Sequence, residues 1–138
     1  MMIRLIIVWA WLLIPAGMQA QTPAGTLMDT LSLRQVDSLS AQIPVLFTNK
    51  GCGRCVTASV YCEEKGIPLY KISLGIPANR QTMFEVATRH AGRPDLSVMF
   101  PVIVYKDLVY YGQSPLNKFL STLYAKTREE GIVPGNTQ

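Results

Sequence analysis

Phe47-Thr48-Asn49-Lys50-Gly51-Cys52-Gly53-Arg54-Cys55 sets two cysteines one helical turn apart, where an apolar run gives way to a helical pattern. Upstream, residues 43–48 (Ile-Pro-Val-Leu-Phe-Thr) have the length and composition of a buried strand, with Pro44 at its start. Downstream, residues 52–65 read as a helix that Gly66 and Pro68 stop. A disulfide between residues this close closes too small a loop to stabilise a fold, because the gain grows with loop length. The pair therefore needs a chemical reason.

Working outward, the pattern alternates. Residues 69–74 (Leu-Tyr-Lys-Ile-Ser-Leu) read as a second strand. Residues 79–90 read as a helix, with Met83, Val86, Ala87 and His90 at three-and-four spacing. Pro101-Val102-Ile103-Val104-Tyr105 is a third strand, and Lys106-Asp107 turns it into Leu108-Val109-Tyr110-Tyr111. Ser114-Pro115 predicts an N-cap followed by proline at the first helical position. Leu116, Phe119, Leu120, Leu123 and Tyr124 then form one apolar stripe. Ahead of the first strand, Ser32-Leu33-Arg34-Gln35 has capping-box spacing, with Val36 and Leu39 continuing a short helix. The expected order after that helix is β-α-β-α-β-β-α.

With 138 residues, 49% of them hydrophobic, the chain has material for one core. Residues 1–20 fit a secretory signal peptide: Arg4, an apolar run from Leu5 to Ala16, then Ala20 before Gln21-Thr22-Pro23. The run is shorter than the ~20 residues of a spanning helix. Met18 stands where cleavage prefers a small residue, and no cysteine follows to take a lipid. Export to the periplasm or beyond is expected, with no stable membrane span once the signal is removed. Residues 21–41 form a linker and the short helix, 42–126 the domain, and 127–138 a flexible tail. Loss of Arg4 lowers the formal charge from +4 to +3. The basic residues are scattered, which argues against nucleic-acid binding. A monomer is expected.

This order, with Cys-x-x-Cys at the first strand–helix joint and a proline opening the third strand, resembles the thioredoxin-like fold. Its small size is most similar to glutaredoxins. The resemblance runs from residue 43 to 125, carried by residues 47–55, the helix that follows, Phe100-Pro101-Val102, and Tyr111-Gly112-Gln113-Ser114. It implies a three-layer α/β architecture, a central mixed four-stranded sheet between helices. It also implies thiol–disulfide oxidoreductase activity, with Cys52 as nucleophile, Cys55 as resolving thiol, and Pro101 in cis, binding substrate. Several positions depart from the family. The intervening pair is Gly53-Arg54 rather than Pro-Tyr, Met99-Phe100 replaces Thr-Val before the proline, and one glycine, Gly112, follows the hairpin where two are common. Lys50 lies one position closer to the first cysteine than the usual lysine. These changes weigh against glutathione as a cofactor, and no bound cofactor is expected.

The chemistry also follows from the residues. A helix N-terminus favours negative charge, so the Cys52 thiol is expected to ionise below the ~8.5 of a free cysteine, with Lys50 and Arg54 adding positive charge. Phe100 and Pro101 offer an open backbone edge to a partner chain. Substrate binding is thus assigned to Lys50, Arg54, Phe100 and Pro101. Arg54 favours the reduced form and hence an oxidant or isomerase, while the resemblance favours a reductase. The electron donor stays open.

Other readings compete. Haem attachment would need His where Val56 stands. Zinc would need four ligands, and only Cys62 and His90 could join the pair, so no metal is expected. Cys62 lies seven residues beyond Cys55, roughly 10 Å along a helix axis, and reads as a buried small residue. His90 reads as a cap for its helix's last carbonyls. Tyr105, Tyr110 and Tyr111 suit a half-buried hairpin. The alternative function is a binding module that docks a partner or metal without redox turnover.

Overall fold

Side chains that alternate along a strand must be covered on both faces of the sheet when both sets are apolar, and that rule organises this chain. The computed structural model describes residues 30–134. The elements are α1 (Leu33–Ser40), β1 (Val45–Thr48), α2 (Gly53–Glu64), β2 (Tyr70–Ser73), α3 (Pro77–Ala91), β3 (Val102–Tyr105), β4 (Leu108–Tyr110) and α4 (Leu116–Glu129). The strands form one mixed sheet in the order β2-β1-β3-β4, with β1–β2 parallel and β1–β3 and β3–β4 antiparallel. The α/β class and the element order expected from sequence are both present. The expected signal segment lies outside the described residues.

Val45, Phe47, Ile72, Val102, Val104 and Val109 point to one face, against Val36 of α1 and Met83 and Val86 of α3. Leu46, Ile103, Tyr105 and Tyr110 point to the other, against Ala58 and Cys62 of α2 and Phe119, Leu120 and Leu123 of α4. Three layers result. Because β1, β2 and β4 run the same way, α2, α3 and α4 all start at one end of the sheet. The Lys106-Asp107 turn closes the other end, with Lys106 at φ 53°.

The capping box on α1 forms as the spacing predicts: Ser32 Oγ accepts from Gln35 N–H, and Gln35 Oε1 accepts from Ser32 N–H at 2.8 Å. Helix α3 starts at Pro77 rather than at 79, since proline at the first position gives up no helical bond. At α4 the expected Ser114 cap is replaced. Pro115 is the N-cap: its ψ of 132° keeps it extended while its carbonyl accepts from Phe119 N–H at 3.2 Å. Helix α4 also passes the expected boundary at 126. Thr127 is buried, its Oγ1 donating to Leu123 O at 2.9 Å, and its carbonyl accepts from Ile132 N–H. Gly131 turns the chain so that Val133 returns to the α2–α4 layer. Residues 127–133 are thus part of the folded domain.

Asn79 ties three segments together. Its Oδ1 accepts from Leu31 N–H at 3.0 Å and its Nδ2 donates to Ser73 O at 3.0 Å. Asn79→Ala strands a buried N–H and a carbonyl, and is expected to cost about 2 kcal/mol in equilibrium denaturation. A loss within error would show that water replaces both bonds.

Candidate functional site

The site is built on the turn from β1 into α2. Gly51 takes φ 77°, which a residue without Cβ adopts freely, and Cys52 N–H donates to Asn49 O at 3.2 Å. Cys52 is the N-cap of α2, and its Sγ accepts from Cys55 N–H at 3.2 Å. The sulfur thus occupies the place a serine or aspartate oxygen takes at other helix starts. Cys55 is one turn in and buried, whereas Cys52 is half-exposed. The two are joined as a disulfide, with Cα atoms 5.3 Å apart.

Opposite them lies the entry to β3. The Phe47↔Val102 register brings Pro101 level with Thr48, so the Phe100–Pro101 segment sits at the same end of the sheet as the disulfide. The Phe100–Pro101 bond is cis, as the resemblance implied. Pro101 is buried and Phe100 half-buried against the α1–α3 layer. Met99 N–H donates to Tyr111 O at 2.9 Å, fastening this segment to the exit of β4. Among the described residues, Phe100 makes no backbone hydrogen bond. Met99 and Val56 leave exposed apolar surface, 54% and 62% accessible, in the segments that follow from this end.

No family model matches this chain, and no curated protein matches it. What the site can do therefore rests on its own geometry.

The two cations near the pair behave differently. Lys50 is exposed and, among the described residues, makes no hydrogen bond or ion pair. Arg54 is half-buried, donates to the Tyr110 hydroxyl, and sits 5.8 Å from that ring's centroid. Tyr110 is fully buried and meets Phe119 at 5.1 Å between centroids. Tyr105 is likewise buried, its hydroxyl donating to Glu130; burial, then that carboxylate, hold its phenol well above the usual range. The half-buried hairpin expected for the tyrosines holds only for Tyr111. Tyr105 and Tyr110 alternate onto the covered face.

His90 does not cap α3. Gly92, at φ 70°, does so by donating to Thr88 O at 2.9 Å, while the exposed His90 ring stands edge-on to Tyr111 at 6.3 Å. His90 lies on α3 and Cys62 in the α2–α4 layer, on opposite faces of the sheet. Among the described residues no cluster of three or more His, Cys, Asp or Glu side chains could hold a metal ion.

Cys62 is buried on the Cys55 side of α2, at the expected spacing. Burial pushes its thiol up from 9.0 to about 11, against a weaker pull from Lys71. The folded state therefore holds this proton more tightly than the unfolded one. The stability this contributes is complete below pH 9.0 and is lost as pH rises toward about 11. In the reduced native protein at about pH 8, iodoacetamide is expected to spare Cys62 and to reach it only in denaturant. Labelling of native Cys62 at the unfolded rate would contradict its burial.

Proposed function

We propose that this protein is an exported thiol–disulfide oxidoreductase of thioredoxin-like, glutaredoxin-type architecture, exchanging disulfides with protein partners through Cys52 and Cys55. The observation that carries this reading is the asymmetry of the pair: one sulfur at a helix N-cap and reachable, the other one turn behind and buried. Reduced Cys52, as thiolate, attacks a partner disulfide, forming a mixed disulfide and releasing one partner thiolate. Cys55 then gives up its proton and attacks Cys52 Sγ. The second partner thiolate leaves, the Cys52–Cys55 disulfide forms, and the partner has gained two electrons. The reverse sequence oxidises a dithiol.

Phe100 and Pro101 present backbone to the partner chain, and Lys50 and Arg54 flank the exchange. A disulfide that persists suits an oxidising compartment, in keeping with export. The replacement of Thr-Val by Met99-Phe100 favours a protein partner over glutathione. The test is catalysed reduction of insulin by dithiothreitol. Catalysis by the wild-type chain supports the reading. Its absence, with stoichiometric partner or zinc binding, supports a docking module instead.

A further inference from the structure

Charge is distributed unevenly between the two ends of the sheet. The three ion pairs among the described residues, Arg89–Asp37, Lys106–Glu130 and Lys126–Asp107, all lie toward the hairpin-turn end or the last turns of α1, α3 and α4. At the disulfide end, the connecting residues 49–55, 74–76, 96–101 and 111–115 contain Lys50 and Arg54 and no Asp or Glu. The first turns of α2, α3 and α4, which start there, contain no acidic residue either. Arg80 and Lys118 add positive charge near the starts of α3 and α4, Arg80 with its Nε on Leu74 O at 2.6 Å. Asp95 is the first carboxylate met in sequence ahead of Pro101.

Among these cations Arg54 stands between the two cysteines in sequence, and the side chain that holds it is neutral. The Tyr110 hydroxyl accepts from the guanidinium without cancelling its charge, and Phe119 and the α2–α4 layer fix the ring. A guanidinium has five donors; a carboxylate could engage those that Tyr110 does not use.

Resting on the oxidoreductase reading, we propose that this end of the molecule selects protein partners whose disulfide is flanked by carboxylates, with Tyr110 as the positioning residue that holds Arg54 as the discriminating charge. Two synthetic peptides test this. Each carries the same internal disulfide, one flanked by glutamates and the other by lysines. The acidic peptide is expected to have a ~10-fold higher kcat/KM at low ionic strength, an advantage that shrinks toward unity as salt shortens the screening length.

Arg54→Gln and Tyr110→Phe should each lower that ratio at least ~3-fold, whereas Arg128→Gln, in the last turn of α4, should leave it unchanged. A ratio of one or below in the wild-type protein would overturn the proposal. A ratio lowered by Arg54→Gln but untouched by Tyr110→Phe would overturn the positioning role. The same peptides with serine for cysteine, bound to the oxidised protein and followed by fluorescence anisotropy, report the charge preference independently of exchange. Acidic preference without turnover would sink the oxidoreductase reading and keep the charge selection; turnover without preference would do the reverse.

Discussion

Cys52→Ser is expected to lower disulfide exchange by roughly three orders of magnitude or more, the scale on which losing a nucleophile removes a covalent pathway. The substitution keeps a side-chain oxygen that can accept from Cys55 N–H, so α2 retains its cap. Loss of activity would then report chemistry rather than folding, and an unchanged denaturation midpoint would confirm it. Cys55→Ser separates the two halves of the cycle. It leaves the reachable sulfur and removes the buried one, so a mixed disulfide with the substrate should accumulate and turnover should stop. If both variants exchange at the wild-type rate, the pair is not the working centre. Thiol-trapping electrophoresis distinguishes these outcomes.

The second large effect lies outside the cysteines. Gly112 follows β4 with φ 97°, and a Cβ there would stand 2.5 Å from Met99 Cβ and 3.3 Å from Met99 Cα. Backbone strain and overpacking therefore add in Gly112→Ala, for a loss of roughly 3–5 kcal/mol. That is a large fraction of the stability of a domain this size. Met99 immediately precedes the Phe100–Pro101 segment and is hydrogen-bonded to Tyr111. A shift of Met99 carries the attached Phe100–Pro101 segment out of its place level with Thr48, so exchange by the folded fraction should fall as well. Gly131→Ala is the control. Gly131 has φ 74° but open space around its Cβ position, so it should cost only the ~1–2 kcal/mol of left-handed backbone and leave exchange intact. Equal losses at the two glycines would mean that Met99 does not constrain position 112.

Local features were legible in the sequence where the determining contacts are local. The Ser32–Gln35 capping box, the helix start at Cys52 and the burial of Cys62 seven residues beyond Cys55 depend on residues within one or two turns, and all appear as expected. Helix boundaries were less legible because competing signals sit side by side. Pro77 starts α3 ahead of the apolar periodicity, and Pro115 displaces Ser114 as the α4 cap. The tail from 127 reads as polar, yet a single turn at Gly131 returns Val133 to the core, a contact no periodicity announces.

The surroundings of the cysteines were the least legible part. Arg54 and Tyr110 are 56 positions apart, and Gly112 meets Met99 only because β4 and the approach to β3 run side by side. Alternation along 108–111 does put Tyr110 on the α2–α4 face, which is the one signal that could have suggested its partner. His90 has the position of a common cap, a cation at a helix end, but Gly92 two residues later serves that role instead.

The most direct test of the central claim is the alkylation rate of Cys52 in the reduced protein as a function of pH, followed by mass spectrometry so that each cysteine is read separately. A thiolate stabilised by the start of α2 should reach half its maximal rate below the ~8.5 of a free cysteine, while Cys62 stays unlabelled. A Cys52 profile at or above that of a free thiol would contradict the account, whatever the fold around it.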